Sequence, residues 1–79
     1  MQSTIPLSSL KSGEQAVIRK LESGKMLVAR LTSLGFTNGV AIEMKQNYGH
    51  GPLVVSVRDT RIALGRGEAA AILVERGEA

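Results

Sequence analysis

The stretch "RLTSLGFTNGVAIEM", Arg30 to Met44, decides how this chain folds, because it changes backbone state three times. It begins as the tail of an apolar pattern at helical spacing. Leu27, Leu31 and Leu34 fall at i, i+4 and i+7, with Met26 and Arg30 on the margins of that stripe. Gly35 stands where a terminating residue of positive φ is wanted, a conformation glycine reaches without steric cost. Phe36 follows at the position from which an apolar side chain folds back on the last helical turn. Thr37-Asn38-Gly39 then make a second tight turn. Beyond it Val40, Ile42 and Met44 alternate with Ala41, Glu43 and Lys45, the pattern of a half-buried strand. A single apolar stripe of about ten residues does not hold a helix in water, so this helix must dock on a sheet.

Working outward, "LSSLKSGEQAVI" (Leu7–Ile18) predicts a short turn at Leu7–Leu10, closed by Ser12-Gly13, and a strand near Ala16–Leu21. Arg19 and Lys20 blur the alternation of that strand. Ser23 is placed to cap a helix starting at Lys25. Downstream, Gln46–Pro52 reads as a loop, and Leu53, Val55 and Val57 resume the alternation. Asp59-Thr60 is expected to reverse the chain, and Ile62 and Leu64 return to the inner face. "GRGEAAA" suggests one helical turn, and Ile72–Glu75 a last strand. The expectation is a mainly β fold, a small antiparallel barrel of about five strands with one short α-helix after the first strand. Alternating strands joined by tight turns need closure to hide their edges, and the helix would plug one end. The expected core is Val40, Ile42, Met44, Val55, Val57, Ile62, Leu64, Ile72 and Val74, with Leu27, Leu31 and Leu34 from the helix.

With 79 residues, no internal repeat and no linker, residues 1–79 are expected to form one domain. A chain of this size buries only about 60% of its unfolded surface, so the core is thin. There is no cysteine, hence no disulfide, no thiolate ligand and no cysteine nucleophile. Phe36 and Tyr48 are the only aromatics, so the core must be aliphatic. The longest apolar run, Ala69–Val74, is six residues against the roughly 20 a membrane span needs. No direct membrane insertion is expected. The start "MQSTIPLSSL" lacks a charged head and a long apolar segment, so a cytoplasmic protein is expected. The net charge is +3, yet Glu14, Glu22, Glu43, Asp59, Glu68 and Glu75 interleave with the bases along the chain.

That scatter favours a solvated surface over a nucleic-acid footprint. The nearest approach to a stacking site is Tyr48 beside Lys45, with Arg58 and Arg61 across the sheet; no nucleic-acid partner is expected. His50, the one histidine, sits between two glycines, and one imidazole without thiolates does not make a transition-metal site. No metal ligand is assigned within one chain, while a site shared between protomers, and a homo-oligomer, stay open. "GRGEAA" fits the G-x-G-x-x-A string formally but lacks the βαβ unit and the downstream acid that nucleotide binding requires. No nucleophile has an orienting base, so no catalytic residue and no cofactor are assigned.

Three segments together resemble the FeoA family of bacterial ferrous iron transport: the opening L-x-x-L-K-x-G-E, the stretch "RLTSLGFTNGVAIEM", and "GPLVVSVRDTRIAL" at Gly51–Leu64. The first runs over Leu7–Glu14, and the similarity extends across Leu7–Val74. Asn38 stands where that family usually has proline, Asp59-Thr60 replaces a glycine-containing turn, and Gly65 and Gly67 replace residues often Arg or Glu. The resemblance implies an SH3-like barrel that acts without enzymatic activity as an accessory to the membrane transporter FeoB, whose cytosolic GTPase region is the expected partner. It associates the chain with ferrous iron without assigning any residue as a ligand. Similar barrels serve iron-dependent repressors, which makes transcriptional regulation or nucleic-acid binding the alternative. Interfaces favour Arg, Met and aromatic residues over Lys and Glu, and loops on rigid scaffolds carry recognition. On that basis Met26, Arg30 and Tyr48 are the expected partner-binding residues.

Overall fold

After a two-residue strand β1 (Ile5–Pro6), alternating apolar residues become strands at β2 (Gln15–Leu21), β3 (Ala41–Gln46), β4 (Leu53–Val57), β5 (Thr60–Leu64) and β6 (Ile72–Arg76). Between them lie a 3-10 turn at Leu7–Ser9, helix α1 (Lys25–Ser33) and the short helix α2 (Arg66–Ala70). The structure is a computed structural model that describes residues 4–76. The strands form one antiparallel sheet in the order β1-β6-β2-β3-β4-β5. Six strands stand where about five were expected, and α1 follows the second rather than the first. The extra strand is the two-residue β1, which carries a proline and shows no alternation; its place comes from pairing Ile5 with Val74 and Pro6 with Leu73.

Two bulges coil the sheet. The β2–β6 register shifts between Ile18 and Lys20, and the β3–β4 register between Met44 and Gln46. Each extra residue bends its strand and steepens the twist, which lets a short sheet curl around its own core. The first bulge also explains the blurred alternation of β2, since Arg19 and Lys20 both face solvent. β1 and β5, the two ends of the sheet, are not paired with each other. α2 packs on the 3-10 turn that follows β1.

The core contains the expected Ile42, Met44, Val55, Val57, Leu64, Ile72, Val74 and Leu31, all buried. It also holds Leu53, which heads the β4 alternation, and Leu7, Leu10, Ile18, Phe36 and Ala69, which lie outside the expected core. Leu27, Val40 and Ile62 are only partly buried against it. Leu34 is not a core residue; at 40% exposure it is the C-cap of α1, where the chain leaves the helix and the helical stripe no longer applies. Phe36 takes its place.

The helix end is built as the glycine implied. Gly35 has φ +105°, its N–H donates to Thr32 O at 3.0 Å, and the Phe36 N–H donates to Leu31 O at 3.0 Å. These are the two bonds of a Schellman motif, and its customary apolar contact falls on Leu31 and Phe36, both fully buried. At the other end the N-cap is Gly24, with no side-chain cap, so Ser23 does not play the part expected of it. The β4–β5 reversal is likewise shifted by one residue. Arg58 (φ 49°) and Asp59 (φ 65°) are its centre, and Thr60 already pairs with Val57. Positive φ at both central residues is the type I′ geometry, the turn whose twist matches flanking strands.

Candidate partner-binding surface

Helix α1 is lightly made. It has nine residues, no side-chain N-cap and no acidic residue in its first turn, and Lys25 opposes the dipole there. Leu31 is its only fully buried side chain. The first turn therefore projects outward, and Met26 is 89% exposed, an unusual position for a long apolar side chain. It is the most exposed large apolar residue described.

Arg30 lies one turn further on but is already committed. Its Nη1 donates to Glu68 Oε2, while Glu68 Oε1 accepts the Gly65 N–H at 3.0 Å. One carboxylate thus caps α2 and ties α1 to it, and this pairing across 38 residues is invisible in the sequence.

Tyr48, 70% exposed, sits on the β3–β4 loop. Asn47 holds that loop in place. Its Nδ2 donates to Ser8 O (3.1 Å) and Leu10 O (2.6 Å), and its backbone N–H donates to Ser12 Oγ (2.9 Å). Asn47 Oδ1 accepts from the Gly49 N–H (3.0 Å) and Arg66 Nη2 (3.2 Å), and Arg66 Nη1 donates to Gly51 O (3.2 Å). The clasp joins the 3-10 turn, the loop and the start of α2, leaving Tyr48 and His50 outside it and exposed. Neither Asn47 nor Arg66 stands out in the sequence, because their partners are mainly backbone carbonyls far along the chain.

Met26 and Arg30 share α1, but Tyr48 is not beside them. α1 joins the end of β2 to the start of β3, whereas Tyr48 follows the end of β3, and Val17 pairs with Ala41 while Gln46 pairs with Val54. The strand β3 separates the two positions. Nor do Tyr48 and Arg58 make a stacking patch: Arg58 follows Val57 at the Ile42 end of the β3–β4 ladder, Tyr48 follows the Gln46 end, and Lys45 is paired with Glu43 at 3.1 Å.

A shallow open groove of about 600 Å³ crosses the outer face of β2, β3 and β4, with Gln15, Glu43, Ser56, Arg58 and Asp59 among its lining residues. Among the described residues no group of three His, Asp or Glu side chains is arranged to hold a metal ion. None of the described helices is long and apolar enough to cross a membrane.

The family model of the FeoA domain matches residues 5–76. This chain belongs to the FeoA family. A Methanocaldococcus jannaschii protein assigned as Fe(2+) transport protein A is 36% identical over 73 residues, covering 92% of this chain and 88% of that one. An iron uptake regulatory protein (FeoA) of known crystal structure superposes with TM-score 0.89 at 28% identity, over 95% of this chain and all of the other. FeoA of Stenotrophomonas maltophilia, crystallised with zinc and described as a prokaryotic SH3 domain protein, gives TM-score 0.79 at 32% identity over 91% and 88% of the two chains. The SH3-like fold expected from the FeoA resemblance is thus the fold of this chain. A manganese-dependent transcriptional repressor shares that fold at TM-score 0.86 but only 15% identity, over 98% of this chain and 44% of the repressor; this is likeness of fold alone.

Proposed function

We propose that this FeoA protein is a non-enzymatic cytoplasmic accessory of ferrous iron transport, formed as one domain, that binds the cytosolic GTPase region of a FeoB-type membrane transporter and modulates it. A protein that acts by contact needs surface, and the observation that carries the reading is Met26, fully displayed on an uncapped helical turn. An exposed methionine on a lightly held element adapts to a partner at small cost in its own packing. Tyr48 on the clasped loop offers a second, more rigid aromatic contact, and Arg30 supports α1 through Glu68.

The test is binding of the purified chain to the cytosolic region of such a transporter, by calorimetry or interferometry. Met26→Glu and Tyr48→Ala should each weaken binding at least tenfold while leaving the melting curve unchanged, since neither side chain is in the core. Arg30→Glu is a poorer probe, because it also sets two carboxylates against each other at Glu68. Two folded variants binding within about twofold of the parent, a difference of ~0.4 kcal/mol, would place the contact elsewhere. Salt-dependent binding of duplex DNA by the parent in the same assay would favour the regulatory alternative instead.

A further inference from the structure

The two edges of the sheet are unequal. β1 is two residues long and contains Pro6, which has no N–H to offer, so that edge is blunted. β5 is five residues long, pairs only with β4, and has Arg61 and Ala63 exposed. Its register fixes which backbone groups are free. The type I′ turn makes Val57 and Thr60 a hydrogen-bonded pair, so bonded pairs recur at Val55–Ile62 and Leu53–Leu64. Arg61 and Ala63 therefore aim their N–H and C=O groups away from β4. No other hydrogen bond among the described residues takes them up.

We infer that the β5 edge is a docking strand, and that its occupant is an extended acidic segment of a partner protein, added antiparallel to β5. The two outward residues supply two donors and two acceptors, enough for four backbone hydrogen bonds. Charge selects the occupant. The described ion pairs engage Arg19, Lys20, Arg30, Lys45 and Arg76, leaving Arg58 and Arg61 without a carboxylate partner at this edge. The incoming strand should read, from its N-terminus, any residue opposite Ala63, an apolar one covering half-buried Ile62, then Asp or Glu opposite Arg61. A second copy of this chain is the poorer occupant. Self-pairing about Ile62 sets Arg61 against Ala63 of the other copy, provides no acid for either arginine, and brings together two chains of charge +3. This surface is distinct from Met26 and Tyr48 and stands or falls independently of them.

The probe is a fluorescein-labelled peptide alternating Thr, Val and Glu in the order x–Val–Glu, with a Lys-for-Glu peptide as control. Anisotropy at low salt should show binding of the first at least tenfold tighter than the second. Amide hydrogen exchange should slow at Arg61 and Ala63 on binding, with Ile62 already protected in the free protein. Ala63→Pro deletes one outward N–H and should weaken binding at least tenfold, and Arg61→Glu, a surface change that leaves the fold intact, should remove the preference for Glu over Lys. The inference is overturned if the folded Arg61→Glu variant still prefers the acidic peptide, if protection appears away from β5, or if concentration-dependent dimers form through β5 while the peptide is ignored.

Discussion

Replacing Gly35 by alanine tests the joint on which the fold turns. At φ +105° a Cβ is disfavoured, and a left-handed conformation costs an L-residue about 1–2 kcal/mol. The added Cβ would also lie 3.4 Å from Val57 Cγ1 and 3.7 Å from Arg58 Cδ, which is ordinary contact. Backbone strain therefore dominates, and the expected loss is about 1–2 kcal/mol, or roughly 4–16 °C in melting temperature for a domain of this size. Gly39 is the matched control: its φ is +89° and nothing lies within 4 Å of a Cβ built there. Gly39→Ala should therefore cost a similar amount. Thermal melts followed by circular dichroism measure both. If Gly35→Ala melts within 2 °C of the parent, the helix does not need its glycine terminus and the reasoning fails. If only Gly35→Ala is costly, contact with Val57 matters more than φ.

Leu31→Ala should cost about 2–5 kcal/mol in chemical denaturation, because its fully buried side chain is the main apolar tie between α1 and the barrel. Arg58→Asn with Asp59→Gly should raise stability by about 1 kcal/mol, since Asn-Gly suits a type I′ turn that Arg-Asp occupies under strain; a lower denaturation midpoint would argue against strain there. Glu14 is held below the ordinary carboxylate range, first by the Lys11 N–H donating to Oε1 at 2.7 Å and then by Arg76 Nε donating to Oε2 at 3.0 Å. The unfolded chain then binds more protons near pH 4, so the stabilisation is complete above the ordinary glutamate value of about 4.3 and is lost as pH falls through the folded value. Glu14→Gln should accordingly be less stable than the parent at pH 7, with the gap closing below pH 4.3; a gap independent of pH would contradict this.

The parts of the fold legible in the sequence are those set by local chemistry. A glycine followed by an apolar residue marked the Schellman end, and alternation marked β3 and β4 because each has one face on the core. The turn at Leu7–Leu10 is legible too, but its two buried leucines are not part of the expected core, although side chains at i and i+3 of a 3-10 turn eclipse and so share one face. Ile18 escaped because a bulge at Arg19 breaks the period that would have revealed it. Leu34 was overvalued because periodicity cannot say where a helix stops being one. The candidate site was less legible still. Exposure of Met26 depends on how α1 sits, the tether at Arg30 on a carboxylate in another helix, and the freedom of β5 on strand order, which alternation does not encode.

Charge shows best how sequence scatter and spatial order differ. Along the chain, acids and bases interleave, which suggests an even surface. In space most of them cancel: Arg19 meets Glu75 at 2.7 Å across 56 residues, and Arg76 meets Glu14 at 3.0 Å across 62. Lys20 and Lys45 take Glu22 and Glu43, and Arg30 takes Glu68. Arg66 meets only neutral oxygens in the Asn47 clasp, so Lys11, Lys25, Arg58, Arg61 and Arg66 have no carboxylate partner among the described bases, with Asp59 alone among the described acids. Two of those five cations stand at the β4–β5 hairpin, where Asp59 in the turn offsets one of them, and one precedes Met26. Part of the residual positive charge thus lies where backbone edge and apolar surface are also on offer. Fields of this kind act on encounter more than on final affinity, since they orient an acidic partner before contact and fade with salt. An acidic partner should consequently associate more slowly as ionic strength rises, with dissociation nearly constant, and the reverse pattern would mean that apolar contacts at Met26 dominate recognition.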